Sequence, residues 1–115
     1  MITIIAGSRT ILNPRLVENA AKDCGWNITE VVNGLAHGVD ELGGQWAKKN
    51  KIKIKEFPAN WEKFGRKAGF LRNEQMANYA EALILIWDGE SKGSKMMLDL
   101  AKKKGLKIFE KKLDY

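Results

Sequence analysis

The chain has 115 residues, of which 44% are hydrophobic and 30% are charged, a composition typical of one globular domain with its own core. No apolar run approaches the ~20 residues that a membrane helix needs, and the first residues lack the basic region of a signal peptide, so we expect a cytoplasmic protein without a membrane partner. A single cysteine excludes an internal disulfide, and a single histidine excludes a histidine-rich metal site.

The net charge of +6 is concentrated in two lysine-rich runs. Residues 48–56 and residues 101–115 each carry a net charge of +4, which leaves the rest of the chain at −2. Lysine runs near helix ends commonly form solvated faces that complement the helix dipole. Because no aromatic residue interleaves the first run, we favour this interpretation over a nucleic-acid surface.

The first strand and the first helix are predicted at the amino terminus. β-Branched residues 2–6 predict a strand, and a glycine turn at residues 7–9 closes it. Asn13 followed by Pro14 is typical of a helix cap and a first helical position. Apolar residues at helical spacing continue from there to Gly25, which ends the predicted helix.

A second predicted strand at residues 29–33 enters a longer glycine turn at residues 33–40. The apolar spacing after this turn predicts a helix, which the pair Gly43-Gly44 interrupts. We attribute both glycines to close packing on a sheet rather than to the approach of a ligand. Alternating apolar and polar side chains at residues 52–57 predict a strand at or near the sheet edge.

The helix predicted at residues 66–80 carries a polar pair on the face that should point inward. Arg72 and Asn73 fall within the arc of its apolar residues. Buried polar groups are costly unless they are paired. The pair therefore either reaches a ligand, or braces the loop that does, or belongs to a structural network with Asp40 or Asp88.

The last third of the chain predicts two more strands around a third glycine turn. Residues 82–87 form a continuous apolar run, which is typical of a central parallel strand buried on both faces. A turn at residues 88–93 precedes a helix that Gly105 ends, and residues 106–109 predict the last strand. Strands and helices thus alternate, which predicts an α/β three-layer sandwich with a mostly parallel sheet of about five strands.

The three glycine turns all follow the carboxyl ends of predicted strands. In sheets of this kind, ligands bind beyond those ends. Each junction from strand through glycine turn to helix directs free backbone N–H groups and the positive end of a helix dipole at one spot, which suits phosphate. We therefore expect a single composite ligand site.

The order and spacing of these motifs resemble the small YspA-like members of the SLOG superfamily, over nearly the whole chain. The motifs are Gly7-Ser8-Arg9, Asn33-Gly34-x-Ala36-x-Gly38-Val39-Asp40, Trp61 with Gly65, Gly69 with Arg72-Asn73 and Met76, and Trp87-Asp88-Gly89-x-Ser91-x-Gly93-Ser94. The superfamily also holds the DNA-processing protein DprA, which has a turn and an Arg-Asn pair similar to those here. The resemblance implies a single Rossmann-like, SLOG-type nucleotide-binding domain over residues 1–115.

The resemblance also implies a set of ligand-binding residues, with Arg9 and Arg72 supplying charge to phosphates. Trp61 and Trp87 are candidates for stacking a base. A lone histidine without a visible partner, such as His37, is more often structural than catalytic. The expected set is Gly7, Ser8, Arg9, Asn33, Gly34, Ala36, His37, Gly38, Asp40, Trp61, Arg72, Asn73, Trp87, Asp88, Gly89, Ser91, Gly93 and Ser94.

One departure from the superfamily bears on catalysis. Its phosphoribohydrolases carry a P-G-G-x-G-T-x-x-E motif whose glutamate acts at the sugar. Aligning the G-T of that motif with residues 93–94 places Met97 at the glutamate position, and a methionine cannot do acid–base chemistry. Hydrolysis would then require another carboxylate, for which the candidates are Asp40, Asp88 and Glu90.

Three functions stay open at this point. The favoured one is binding of a phosphate-containing, nucleotide-derived small molecule, of mononucleotide or ADP-ribose size, by a sensor or a sequestering protein. In a phage-encoded protein, sequestering a host nucleotide signal would be a natural form of it. The second is a nucleotide N-glycosidase or phosphoribohydrolase, and the third is single-stranded DNA binding. We expect no cofactor and no metal, and a homodimer because relatives pair through helices.

Overall fold

The computed structural model describes residues 1–113, in which strands and helices alternate along the chain. Asp114, counted in the second lysine-rich run, lies outside the described residues. The elements are β1 (Ile2–Gly7), α1 (Pro14–Asp23), β2 (Glu30–Asn33), α2 (Val39–Lys49), β3 (Lys53–Glu56), α3 (Trp61–Phe64), a 3₁₀ turn (Gly65–Lys67), α4 (Ala68–Tyr79), β4 (Ala82–Trp87), α5 (Lys92–Lys104) and β5 (Lys107–Lys112).

The five strands form one parallel sheet in the order β3-β2-β1-β4-β5. β1 is central, and its residue Ile4 lies between Val32 of β2 and Leu83 of β4. The predicted α/β, Rossmann-like architecture is confirmed, and the sheet is parallel throughout rather than mostly so. β3 is an edge strand, as the alternation of polar and apolar residues in it predicted.

Two hydrophobic cores cover the two faces of the sheet. α1 and α2 pack on one face, around Ile5 and Ile86. α4 and α5 pack on the other, around Ile4 and Leu85. All six residues of β4 are buried, which explains why its sequence is an unbroken apolar run.

α2 is continuous through Gly43 and Gly44, so the predicted interruption is wrong. A Cβ on Gly43 would lie 2.8 Å from Cγ2 of Ile5, and one on Gly44 would lie 2.7 Å from Nδ2 of Asn33. The two glycines therefore let the helix approach the sheet closely, which confirms the packing that the sequence analysis attributed to them.

The helix-end lysines of the two lysine-rich runs lie away from the carboxyl ends of the strands. Lys48 and Lys49 occupy the last turn of α2, and residues 102–104 occupy the last turn of α5. Each helix runs antiparallel to its strands, so these turns flank the amino edge of the sheet, and their side chains are exposed there. Positive charge at helix carboxyl ends complements the helix dipole, as predicted. Within residues 1–113, no helix is long and apolar enough to cross a bilayer.

Candidate functional site

A cleft of about 340 Å³ opens where the carboxyl ends of β1 and β4 meet the amino terminus of α5; we call it the first lobe. Glycine turns from three strands reach it, as the positions of these turns predicted. It is lined by Ala6, Gly7, Ser8, Arg9, Thr10, Ala36, Asp40, Arg72, Asn73, Met76, Asp88, Ser91, Gly93, Ser94 and Met97.

A second lobe of about 410 Å³ adjoins the first. Arg9, Ala36 and Arg72 line both lobes, so the two guanidinium groups stand at the boundary between them. The lining of the second lobe is Arg9, Gly34, Leu35, Ala36, His37, Pro58, Ala59, Trp61 and Arg72.

Asn33 holds the turn between β2 and α2 in shape. Its Oδ1 accepts a hydrogen bond from the N–H of Leu35 at 2.7 Å, and its Nδ2 donates to the carbonyl of Asp40 at 3.1 Å. These bonds hold Leu35 at φ 63°, a conformation that a branched side chain rarely adopts. Asn33 lies outside both lobes, so its role in the site is to position the turn.

Gly38 joins the first two glycine turns. Its φ is 78°, and a Cβ on it would lie 2.3 Å from the carbonyl oxygen of Ser8. The N–H of Val39 donates to the same carbonyl at 3.4 Å. Only glycine fits this contact, which brings the β1 turn against the start of α2. Gly38 itself lies outside both lobes.

Asp40 is a buried carboxyl group in the wall of the first lobe, 5% exposed. Burial raises its pKa from 3.8 to about 6, because a carboxylate loses its hydration there. The N–H of Ala36, which donates to Oδ2 at 3.3 Å, and the positive charge of Arg72 oppose this rise. Asp40 can therefore gain or lose a proton close to neutral pH.

Arg72 and Asn73 line the first lobe, and Arg72 braces the turn after β2, which is one of the three roles that the sequence left open. Arg72 donates through Nη1 to the carbonyl of Gly34 and through Nε to Oδ1 of Asn73, the latter at 2.8 Å. Burial lowers the pKa of Arg72, the positive charge of Arg9 acts in the same direction, and the carboxylate of Asp40 opposes both. Two neighbouring guanidinium groups create a positive potential that favours an anion.

Asp88 is fixed as part of the third glycine turn. Its Oδ1 accepts hydrogen bonds from the N–H groups of Glu90 at 2.8 Å and Ser91 at 2.9 Å, and its own N–H donates to Oγ of Ser8 at 3.1 Å. The two N–H groups lower the pKa of this carboxyl group. Asp88 thus stays ionised and ties the β4 turn to the β1 turn.

The amino terminus of α5 faces the first lobe. Ser91 caps the helix by accepting a hydrogen bond from the N–H of Ser94 at 3.4 Å. Gly93 borders open space, since a Cβ there would meet no atom within 4 Å. Ser94 is 4% exposed, and within residues 1–113 its hydroxyl oxygen finds no hydrogen-bond partner. A buried hydroxyl group without a partner is costly, and this one borders a cleft.

Besides Asn33 and Gly38, three further residues predicted at the site lie outside both lobes. Trp87 is 5% exposed and donates through Nε1 to Oε2 of Glu110 at 2.8 Å, so the prediction that it stacks a base is wrong. It belongs to the core because every residue of β4 is buried. Gly89 and Glu90 line a separate groove along α5. A Cβ on Gly89 would lie 2.3 Å from Cε of Lys112, so β5 packs against this turn.

The remaining predicted residues line the lobes. His37 borders the second lobe, where its Nδ1 lies 2.9 Å from Oε1 of Glu41 on the next helical turn. Trp61 borders the same lobe and is 54% exposed. Pro58 and Ala59, which follow the carboxyl end of β3, also line the second lobe and were not predicted. The position of that end on the same edge of the sheet was the available signal.

Comparisons with known proteins agree with this fold. The family model for the YspA, cpYpsA-related SLOG family matches residues 1–64, from β1 through α3. Curated protein sequences give no match. Among solved structures, the X-ray structure of DNA processing protein A (DprA) from Streptococcus pneumoniae is similar, with a TM-score of 0.74 and 18% identity over 95% of this chain. At this identity the similarity shows the fold alone, and the chain matches 49% of the length of that protein.

Proposed function

The chain belongs to the YspA, cpYpsA-related SLOG family, and from that we propose that it binds a phosphate-containing, nucleotide-derived small molecule in the two lobes, as a sensor or a sequestering protein. The observation that carries this proposal is the buried hydroxyl group of Ser94, which has no partner within residues 1–113 and borders the first lobe. A phosphate oxygen in that lobe would accept its hydrogen bond.

The start of α5 adds donors and charge at the same place. α5 has thirteen residues, and its first-turn N–H groups, such as those of Lys92 and Gly93, have no carbonyl partner within the helix. The helix dipole adds a partial positive charge of about half an elementary charge there. These features suit an anion such as phosphate.

Arg9 and Arg72 also line the first lobe and supply full positive charges there. A guanidinium group can bind two phosphate oxygens at once, which fixes orientation as well as affinity. Because Arg72 is already held by Gly34 and Asn73, little side-chain entropy is lost when it binds an anion.

A thermal-shift screen tests the proposal directly. The panel contains AMP, ADP, ADP-ribose, NAD, GTP and cyclic dinucleotides, each checked by chromatography for breakdown. A ligand present at 100 times its dissociation constant adds ~2.7 kcal/mol, which is a shift of several degrees for a domain of this size. A shift with an intact ligand supports the proposal, whereas the absence of a shift with every compound would contradict it.

The variant Gly93→Asp tests where the phosphate binds. The new carboxylate would occupy open space in the first turn of α5, where the dipole favours it, so we expect unchanged or slightly higher stability. It would repel a phosphate, and we expect the ligand-induced shift to disappear. The control Gln45→Glu makes the same change of charge on the exposed face of α2 and should keep the shift. Equal binding by both variants would place the ligand elsewhere.

A second candidate function, a nucleotide N-glycosidase or phosphoribohydrolase, is supported by Asp40. Its pKa of about 6 suits a general acid or base at neutral pH, and it borders the first lobe. Met97, at the position of the hydrolase glutamate, borders the same lobe. Release of free base by the wild-type protein, lost in Asp40→Asn, would support this function. Nucleotides that stay intact through long incubation would exclude it.

A further inference from the structure

Resting on the proposed function, we propose that the two lobes divide one ligand that contains a nucleoside diphosphate. Its base stacks on Trp61 in the second lobe, and its diphosphate runs from Arg9 and Arg72 at the boundary to the first turn of α5. The ligand is then a nucleoside diphosphate or a sugar ester of one.

Trp61 stands on an element that contributes little to the core. All four residues of α3 are exposed, and so is the 3₁₀ turn that follows. The indole ring lies against α4, where a Cβ on Gly69 would come within 3.3 Å of its Cη2 atom. An exposed indole ring supported in this way, beside a cleft, is suited to stacking a planar base.

The charges of the two lobes set the direction of the ligand. Asp40 and Asp88 place two carboxyl groups in the first lobe, which would accept hydrogen bonds from sugar hydroxyl groups. The described lining of the second lobe contains no carboxyl group and includes the apolar side chains of Leu35 and Pro58. The base therefore fits the second lobe, and a sugar attached beyond the diphosphate fits the first.

We infer two phosphates because two separate groups of residues are each suited to bind one. The guanidinium groups of Arg9 and Arg72 form one, at the boundary of the lobes, and the first turn of α5 with Ser94 forms the other. A nucleoside monophosphate whose base lies on Trp61 would reach the first group of residues and leave the second without an anion. A diphosphate occupies both, so it should bind more tightly.

The experiment compares three kinds of probe by calorimetry. These are the tightest-binding of ADP, GDP, CDP and UDP, the monophosphate with the same base, and inorganic pyrophosphate. The variant is Trp61→Ala, and the control is Phe64→Ala, which removes an exposed aromatic side chain of the same helix outside both lobes. Because both side chains are exposed, we expect both variants to melt near the wild-type temperature.

We expect the diphosphate to bind the wild-type protein at least ~10-fold more tightly than the monophosphate, because it makes additional charge-assisted hydrogen bonds. Trp61→Ala should weaken diphosphate binding ~10-fold or more and leave pyrophosphate binding unchanged, because stacking involves the base alone. Phe64→Ala should change neither. Fluorescence of Trp61 should be quenched by the nucleotide and not by pyrophosphate, and the quenching should be absent in Trp61→Phe.

The outcomes separate this inference from the proposed function. If pyrophosphate binds but Trp61→Ala does not change nucleotide affinity, the base does not bind in the second lobe. The proposed phosphate site in the first lobe would still be supported. Equal affinity for the monophosphate and the diphosphate would overturn the proposal that the ligand contains a diphosphate. Failure of every nucleotide and of pyrophosphate to bind the wild-type protein would overturn the proposed function as well.

Discussion

Asp40 couples protonation to folding at the scale of a single residue. Its pKa is about 6 in the folded protein, against an ordinary value of 3.8, because burial disfavours the charged form. The folded state therefore binds this proton more tightly than the unfolded chain. Its contribution to stability is complete below pH 3.8 and is lost as the pH rises through 6. At ~1.4 kcal/mol for each pKa unit, the free energy of unfolding loses about 3 kcal/mol between the fully protonated and the fully ionised limits of Asp40.

Asp40→Asn removes this titration. Between pH 4 and pH 7, we expect the free energy of unfolding of the wild-type protein to fall by about 2 kcal/mol relative to that of the variant, because the unfolded carboxyl group is already partly ionised at pH 4. Urea denaturation of both proteins at the two pH values measures this difference. Other titrating groups are common to both proteins and cancel. Parallel pH profiles would show that Asp40 is not the residue that titrates.

The two tryptophans predicted to stack a base occupy different environments, which the sequence could not distinguish. Trp61 is the first residue of α3 and Trp87 is the last residue of β4, and both were predicted to stack a base. Their positions differ because Trp87 ends a strand buried on both faces and bonds to Glu110, a residue of β5. The side chain of Trp61 is exposed at the surface, and its indole ring lies against Gly69 of α4. Both distinctions depend on contacts between elements, which local pattern does not contain.

At the scale of an element, α2 depends on its glycine pair for its position on the sheet. Gly43→Ala improves helix propensity by about 1 kcal/mol. The new methyl group would lie 2.8 Å from Cγ2 of Ile5, and overpacking of a core costs ~1–3 kcal/mol. We expect a net loss of stability in thermal denaturation. Gln45→Ala, on the exposed face of the same helix, should change stability little, and a stabilised Gly43→Ala would show that the sheet contact can relax.

The elements differ in how far their own residues define them. β4 was predicted at residues 82–87 and occupies those residues, since its apolar run is set by burial on both faces. β5 was predicted at residues 106–109 and extends to Lys112. Its last residues are charged and have low strand preference, but Lys112 pairs with Trp87 of β4. The length of an edge strand is thus set by its neighbour.

At the scale of the whole molecule, the charge is divided between two edges of the sheet. The lysine-rich turns lie at the amino edge, whereas Arg9 and Arg72 lie at the carboxyl edge with the lobes. Exposed charges separated by more than ~8 Å are largely screened at physiological ionic strength. The lysines of these two turns should therefore have little influence on a ligand in the lobes.

Replacing Lys48, Lys49 and Lys51 together by glutamine should leave nucleotide affinity unchanged. Arg9→Gln, a change of one charge, should weaken it ~10-fold or more, because it removes a charge-assisted hydrogen bond. Calorimetry on both variants measures the contrast. Binding of a single-stranded oligonucleotide that falls steeply with salt, and weakens further in the triple variant, would instead favour the nucleic-acid function.

The architecture of the whole molecule could be predicted because alternating strands and helices leave few ways to build a sheet. The meeting of the three glycine turns followed from the same rule. The second lobe could not be predicted, since it needs Trp61 and Pro58 from an irregular segment beside Arg72 of a later helix. The homodimer and the single domain over residues 1–115 stay predictions.

The central place of β1 in the sheet has a consequence during translation. The ribosome releases β1 first, and one of its edges finds a partner when β2 follows. The other edge of β1 has no partner until residues 82–87, which form β4, emerge from the ribosome much later. Until then the nascent chain exposes an unpaired apolar strand, the kind of surface that chaperones bind. The wall that α5 gives to the first lobe comes later still, so the ligand site is complete only after both edges of β1 have found their partners.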